Sequence, residues 1–195
     1  LILIMDKIYD YSPNFGLPKR LKKRIKFIII HYTGMKKELN SIKRLQSPRS
    51  KVSSHYLIKK NGEILILVPD LYEAWHAGLS NWKNHKYLNK KSIGIEITNP
   101  GHQYGYKNFS RKQIFSLKKL LISLIKEFKI EKKYILGHSD VSPNRKKDPG
   151  EKFPWAKLAK NGLVWFHDLD QKKIKKFRKV KLSSKSDENI FLKNL

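Results

Sequence analysis

The chain has 195 residues and a formal net charge of +27 at neutral pH, with 43 basic residues against 16 acidic ones. Its 39% content of hydrophobic residues excludes wholesale disorder, and the absence of cysteine excludes both a disulfide-stabilised scaffold and any cysteine-ligated metal site. The longest apolar runs, at 1–5 and 64–68, are far shorter than the ~20 residues of a transmembrane helix, so no membrane span is expected.

The positive charge is weak support for a nucleic-acid partner. All but seven of the basic residues are lysine, and the lysines are scattered along the chain. Phosphate and guanine recognition favours the planar fork of arginine. A basic nucleic-acid-binding protein is therefore a minor alternative, and another anionic partner, such as cell-wall material or a membrane surface, is the better candidate.

The first half of the chain predicts an extended lead-in, a buried strand, a helix and a hairpin. Residues 1–24 are rich in turn formers after the apolar start, and the β-branched run 27–30 is typical of a strand buried on both faces. The spacing of Leu39, Ile42 and Leu45 predicts a helix over 36–45. The segments 55–60 and 63–68 flank Asn61-Gly62, which predicts a β-hairpin.

The second half predicts an alternating strand and a long amphipathic helix. In the strand 92–98, Ile93, Ile95 and Ile97 share one face, and Gly94, Glu96 and Thr98 share the other. Ser110 opens a helix with Gln113 three residues on, which is a capping box. The apolar stripe of that helix is predicted to consist of Ile114, Leu117, Leu121, Leu124, Ile125 and Phe128.

A short strand at 134–136 and a short helix from Pro154 to about Gly162 complete the predicted elements. Strands that alternate with helices predict a mixed α/β fold, with a central, mostly buried sheet and helices packed on it. We expect one domain over 25–167, followed by a basic tail or linker over 168–195, where the apolar content drops.

Three side chains follow the predicted strands at places typical of chemistry. His31 ends the first buried strand, His138 follows the strand at 134–136, and Asp148 lies ten residues further on. Two histidines and one carboxylate are a common ligand set for catalytic zinc, whose fourth position holds water. Taken alone, a histidine at a strand end is more often a hydrogen-bonded core residue, so this interpretation stays open at the level of spacing.

Six short segments together resemble the type 2 N-acetylmuramoyl-L-alanine amidases, the zinc family that includes the peptidoglycan recognition proteins. The similarity covers about residues 25–165 and keeps the family order. The segments are Ile30-His31-Tyr32-Thr33, 52–58, Ala74-Trp75-His76-Ala77-Gly78, 92–97, 137–143 and 145–150, followed by Phe153-Pro154-Trp155.

The resemblance implies a role for seven residues. It implies zinc on His31, His138 and Asp148, a catalytic acid at Glu96 and a lysine that stabilises the transition state at Lys146. It also implies substrate contacts at His76 and Arg145. Trp75 is a further candidate because an aromatic ring can line a glycan or peptide groove, with packing in the core as the equal alternative. From the strand pattern alone, Glu96 lies on the face opposite the isoleucines, with a solvated strand residue as the minor alternative. Without the resemblance, Lys146 would be interpreted as solvent-facing.

One departure from the family matters. Several relatives have a catalytic tyrosine immediately before the histidine of the His-aromatic pair, where this chain has Ser54. This shifts the expected proton transfer to Glu96. We interpret His55 as structural, and His85, His102 and His167 as surface or structural residues.

The resemblance implies a zinc-dependent hydrolase. Its substrate is the amide between N-acetylmuramic acid, or its 1,6-anhydro form, and L-alanine of peptidoglycan stem peptides. The main alternative is a non-catalytic peptidoglycan-binding module, because some relatives keep the groove but lose a zinc ligand. We expect the bacterial cell envelope as the compartment, with 1–5 as the remnant of an export signal, and the cytoplasm as the alternative. The sequence does not indicate an oligomeric state.

Overall fold

A computed structural model of the protein describes residues 7–167, and residues 7–165 belong to one compact unit. The α-helices are α1 (Glu38–Gln46), α2 (Arg111–Phe128), α3 (His138–Val141) and α4 (Trp155–Lys160). The strands are β1 (Lys7–Tyr9), β2 (Phe15–Gly16), β3 (Phe27–Tyr32), β4 (Tyr56–Ile58), β5 (Ile64–Ile66), β6 (Glu73–Ala74), β7 (Asn81–Trp82), β8 (His85–Lys86), β9 (Ser92–Ile97) and β10 (Ile135–Gly137).

Six of these strands form a mixed sheet in the order β1-β5-β4-β9-β3-β10. The hairpin pair β4–β5 is antiparallel, and the other neighbours are parallel. The two longest strands, β3 and β9, lie side by side in the middle, with Phe27 opposite Ser92 and Tyr32 opposite Ile97. The predicted mixed α/β class is confirmed, as is the full burial of 27–30.

The long helix α2 covers one face of the sheet. Its buried side chains pack with Ile93, Ile95 and Ile97 of β9 and with Ile28 and Ile30 of β3 in one apolar cluster. The alternation predicted for β9 is therefore confirmed. The predicted capping box is also present, since the Ser110 hydroxyl accepts from the Gln113 N–H and the Gln113 side chain accepts from the Ser110 N–H.

The opposite face lies under the connection between β5 and β9, which carries the short strands β6, β7 and β8. There Phe27 and Ile29 pack against Ala77, Leu88, Leu136 and Val141. Because β3, β9 and β10 are parallel, their carboxyl ends meet at one edge of the sheet. That edge carries His31 at the end of β3, Glu96 at the end of β9 and His138 directly after β10.

The structure corrects some sequence-based details. The predicted helix at 36–45 is present as α1, but Leu39 is 58% exposed, and the buried residues of α1 are Ser41 and Leu45. Within the segment predicted as an extended lead-in, β1 pairs with β5 and β2 pairs with β6. The predicted hairpin turn is confirmed, with Gly62 at a φ of 91°.

Two further expectations concern the ends of the chain. Residues 1–6 and the predicted tail at 168–195 lie outside the described residues. Within the described part, no helix combines the length and the apolar character that crossing a membrane requires.

The α2 cap provides a test of local stability. We expect Ser110→Ala to lower the free energy of unfolding by about 0.5–2 kcal/mol, because the Gln113 N–H loses its acceptor. The matched control is Ser123→Ala, the same chemical change at an exposed position inside α2, which we expect to be neutral or slightly stabilising. Urea unfolding measures both, and equal effects would contradict the role of the cap.

Candidate metal centre and active-site cleft

Three side chains that lie far apart in the sequence meet at the carboxyl edge of the sheet. His31 Nδ1 lies 2.9 Å from His138 Nδ1 and 3.0 Å from Asp148 Oδ2. His138 Nδ1 lies 3.1 Å from the same carboxylate oxygen. All three residues are buried, and together they form a cluster whose donor atoms could share one metal ion.

The donor set fits a divalent metal. His138 Nε2 lies 3.0 Å from the Ala77 carbonyl oxygen, which requires the proton on Nε2 and leaves the Nδ1 lone pair turned into the cluster. A histidine lone pair that faces a carboxylate oxygen at 3.1 Å needs a cation or a shared proton between the two atoms. Separations of about 3 Å also suit ligands that each lie ~2.0–2.2 Å from one ion.

The protonation of the cluster favours metal binding at neutral pH. Burial, followed by the charge of His138, lowers the pKa of His31 to about 4. Burial opposes ionisation of Asp148, but the close approach of the two imidazoles to its carboxylate outweighs it and holds the pKa of Asp148 below its usual range. A neutral imidazole and an ionised carboxylate are the forms that ligate metals.

Glu96 stands beside this cluster, opposite His31 in the β3–β9 pairing. The residue is half-buried, and its Oε2 is buried without a hydrogen-bond partner among the described residues. Burial and then the charge of Asp148 raise the pKa of Glu96 to about 8, against the opposing charge of Lys146. A carboxyl group without a partner and with this pKa is suited to proton transfer near neutral pH.

The cluster and Glu96 open into a cleft of about 1100 Å³. The cleft brings together all eight residues singled out from the sequence, since Trp75, His76, Arg145 and Lys146 line it together with the cluster and Glu96. Further basic side chains, those of Lys36, Arg44 and Lys147, also line it.

Arg145 and Lys146 differ in how they are held. The Arg145 guanidinium donates through Nη2 to the carbonyl oxygens of Ala77 and Leu79 and to the Ser142 hydroxyl. It therefore ties the loop before β7 to the loop that carries Asp148. Lys146 is half-buried, and its charge acts on both Glu96 and His31.

Trp75 and His76 come from the connection that covers the sheet. The Trp75 N–H donates to the Ser53 hydroxyl at 2.8 Å, and its half-buried side chain forms part of the cleft wall. The His76 ring lies edge-on to the His31 ring, with centroids 5.1 Å apart. Burial, followed by the charge of His31, lowers the pKa of His76 well below its usual value.

Ser54, which replaces the tyrosine of several relatives, and the adjacent His55 both form hydrogen bonds inside the protein. Ser54 is fully buried, and its hydroxyl donates to the Gly94 carbonyl oxygen. His55 is also fully buried, and its Nδ1 accepts the Gly94 N–H at 2.9 Å, as expected of a structural residue. Neither side chain lines the cleft.

His102 is exposed, as expected of a surface or structural residue, but the sequence did not predict that it borders the cleft. His102 lines the cleft, where its Nδ1 lies 2.9 Å from the Tyr32 hydroxyl and its Nε2 lies 2.9 Å from Glu151 Oε2. Its ring also stacks on Tyr106 at 4.5 Å. The available signal was its place shortly after β9, at the edge where the parallel strands end.

Comparison with known proteins agrees with this geometry. The family model described as N-acetylmuramoyl-L-alanine amidase matches residues 21–151. This chain belongs to that amidase family. The match includes all eight residues that were singled out from the sequence.

Two curated amidases illustrate the relationship. N-acetylmuramoyl-L-alanine amidase AmiD of Escherichia coli is 39% identical over an alignment of 160 residues that covers 76% of this chain and 57% of AmiD. The 1,6-anhydro-N-acetylmuramyl-L-alanine amidase AmpD of Haemophilus influenzae is 42% identical over 106 residues, which are 54% of this chain and 55% of AmpD. The matched region thus spans little more than half the length of these amidases.

Solved structures of family members share the fold. AmiD from E. coli, in complex with anhydro-N-acetylmuramic acid-L-Ala-D-gamma-Glu-L-Lys, superimposes with a TM-score of 0.69 at 32% identity, over 86% of this chain and 68% of that one. AmpDh3 from Pseudomonas aeruginosa, in complex with anhydromuramic pentapeptide, gives 0.71 at 30% identity, over 96% of this chain and 77% of that one.

The raised pKa of Glu96 predicts a pH-dependent loss of stability in the metal-free protein. The folded-state pKa of about 8 exceeds the ~4.3 of an unfolded glutamate. Stability from this group is complete below pH ~4.3 and falls as the pH rises to about 8, because there the unfolded chain releases a proton that the folded protein retains.

Glu96→Gln removes this dependence. We expect the unfolding free energy of the variant minus that of the wild type to grow between pH 5 and pH 9, by on the order of a few kcal/mol. Urea unfolding in the presence of a chelator measures the difference. Glu127→Gln, at an exposed position, is the matched control, and a difference for Glu96→Gln that does not change with pH would contradict the buried-carboxyl interpretation.

Proposed function

We propose that this chain hydrolyses the amide bond between N-acetylmuramic acid, or its 1,6-anhydro form, and L-alanine of peptidoglycan stem peptides. The observation that carries the proposal is the His31–His138–Asp148 cluster at a cleft that also contains the unpartnered carboxyl of Glu96. The AmiD and AmpDh3 complexes, which hold anhydromuramic peptides, support this substrate class. The catalytic domain in this proposal is the predicted 25–167.

We propose zinc as the metal, held by Nδ1 of His31, Nδ1 of His138 and Oδ2 of Asp148. Two imidazole nitrogens and one carboxylate oxygen leave room for water, as in catalytic zinc sites. When bound there, zinc supplies Lewis-acid chemistry, since it lowers the pKa of water and polarises a carbonyl group.

Glu96 is the proton carrier in this proposal. Its carboxylate accepts a proton from the attacking water as the new C–O bond forms, and it delivers that proton to the L-alanine nitrogen as the C–N bond breaks. The products are a carboxylic acid on the lactyl group of the sugar, which releases its proton to solvent at neutral pH, and a free amine on the peptide. The unpartnered Oε2 is available in both steps, and the raised pKa of Glu96 makes it a good proton acceptor once it is ionised.

Lys146 and the cleft walls complete the proposed site. The Lys146 ammonium stabilises the negative charge that develops on the amide oxygen. The Trp75 ring provides an apolar wall, and the Arg145 guanidinium offers its remaining N–H groups to a stem-peptide carboxylate. Both nitrogens of His76 are engaged inside the protein, so only its ring carbons remain for contact with substrate.

Mass analysis of the products from defined muropeptides tests the function. We expect release of the intact stem peptide from both the anhydro and the reducing-end sugar form, and its loss after chelation. Binding of muropeptides without cleavage at saturating zinc would instead support the non-catalytic module. Digestion of intact sacculi favours action in the cell envelope, whereas cleavage confined to free anhydro-muropeptides favours recycling in the cytoplasm.

Glu96→Gln isolates the proton transfer. We expect the turnover rate to fall by ~10²–10⁴, the usual contribution of a general acid/base, because the amide cannot accept the proton. Zinc content, measured by atomic emission, is expected to equal that of the wild type. Full activity in the variant would remove Glu96 from the mechanism.

His138→Ala separates metal binding from the proton transfer. We expect it to abolish stoichiometric zinc binding, since one of three protein ligands is lost and the remaining two cannot hold the ion. Dialysis against zinc followed by metal analysis measures the content, with His85→Ala, outside the cleft, as the matched control. One zinc per chain in His138→Ala would refute the ligand assignment.

A further inference from the structure

Two consecutive residues of the connection between β6 and β7 contact the two histidines of the metal cluster, each at its Nε2 atom. The His76 Nδ1 lies 3.0 Å from His31 Nε2. The next residue, Ala77, places its carbonyl oxygen 3.0 Å from His138 Nε2. In both cases the contact is on the ring nitrogen that faces away from the cluster.

The contacts of His76 form a chain in which the proton positions are determined. The Ser92 hydroxyl donates to the Leu88 carbonyl oxygen at 2.6 Å, so its lone pair is free to accept. It lies 3.1 Å from His76 Nε2, which must therefore carry the proton. In the neutral ring, Nδ1 is then unprotonated and accepts from His31 Nε2–H. His31 consequently turns an unprotonated Nδ1 toward His138 and Asp148.

Hydrogen bonds to its backbone and close packing on β9 fix the position of the His76 ring. The Asn89 side-chain oxygen accepts the N–H groups of both His76 and Ala77, at 3.2 and 2.7 Å. The ring lies directly on Gly94 of β9, where a Cβ atom would come within 2.4 Å of the His76 Cγ. Any side chain at position 94 would displace the ring, so the strand keeps a glycine where the histidine packs.

We propose that His76 is a positioning residue for the metal rather than primarily a substrate contact: it fixes the tautomer and the orientation of His31, as the Ala77 carbonyl does for His138. The inference rests on the proposed function, because it assumes a metal in the cluster. Hydrogen bonds to the outer nitrogen of a ligating histidine are worth 10–100-fold in metal affinity in other metalloproteins. A residue that only packs in the core or only borders the cleft would not change metal affinity through the ring nitrogen of His31.

Zinc affinity, measured by competition with a chromophoric chelator at fixed pH, tests the proposal. We expect His76→Leu, which keeps the bulk but removes the acceptor, to weaken zinc binding 10–100-fold. The matched variant His76→Asn places an amide oxygen near the position of Nδ1, and we expect it to bind zinc within about threefold of the wild type on the same reasoning. Equal affinities of wild type and His76→Leu would overturn the proposal.

A measurement on the wild type decides the question even if a variant fails to fold. Long-range ¹H–¹⁵N spectra of the zinc-loaded protein report the tautomer of each histidine. We expect His76 to carry its proton on Nε2, and a proton on Nδ1 would overturn the proposed chain. Failure of the wild type to bind zinc would refute the metal site itself, whereas zinc binding that is indifferent to His76 would refute only the positioning role.

Discussion

The convergence of two imidazole nitrogens and one carboxylate oxygen within about 3 Å, at a buried position, is the constraint on which the rest of the site depends. Such a group of lone pairs is costly to bury unless a cation shares it. The parallel alignment of β3, β9 and β10 makes the convergence possible, because it brings the ends of three strands to one edge. Asp148 reaches the same edge from the short loop that follows α3.

One low-dielectric environment gives neighbouring groups opposite shifts in pKa. Burial favours the neutral form of each titratable group, so it lowers the pKa of His31 and raises that of Glu96. Burial would also raise the pKa of Asp148, but the two imidazoles that contact its carboxylate lower that pKa by more. The same edge of the sheet therefore carries an ionised carboxylate, Asp148, and at the end of β9 a carboxyl group, Glu96, that holds its proton near neutral pH.

Local patterns predicted much of the fold. The Asn61-Gly62 turn, the capping box at Ser110 and the alternation along β9 depend on neighbours in the sequence, and all three are present in the structure. The exposure of Leu39 was not predictable in this way, because burial depends on which elements cover α1. Strands of two residues, such as β7 and β8, are too short to show a period, so no pattern could reveal them.

The sequence by itself determined the family and singled out His31, His138, Asp148 and Glu96, because a motif is recognised from the types and order of its residues and not from the distances between them. Only the tertiary structure decided which nitrogen of each histidine faces the cluster, that His76 contacts His31, and that Arg145 is bound to loop carbonyl oxygens. Each of these facts depends on hydrogen bonds between residues 45 or more positions apart, and the geometry of such bonds is set by how sheet and loops pack together.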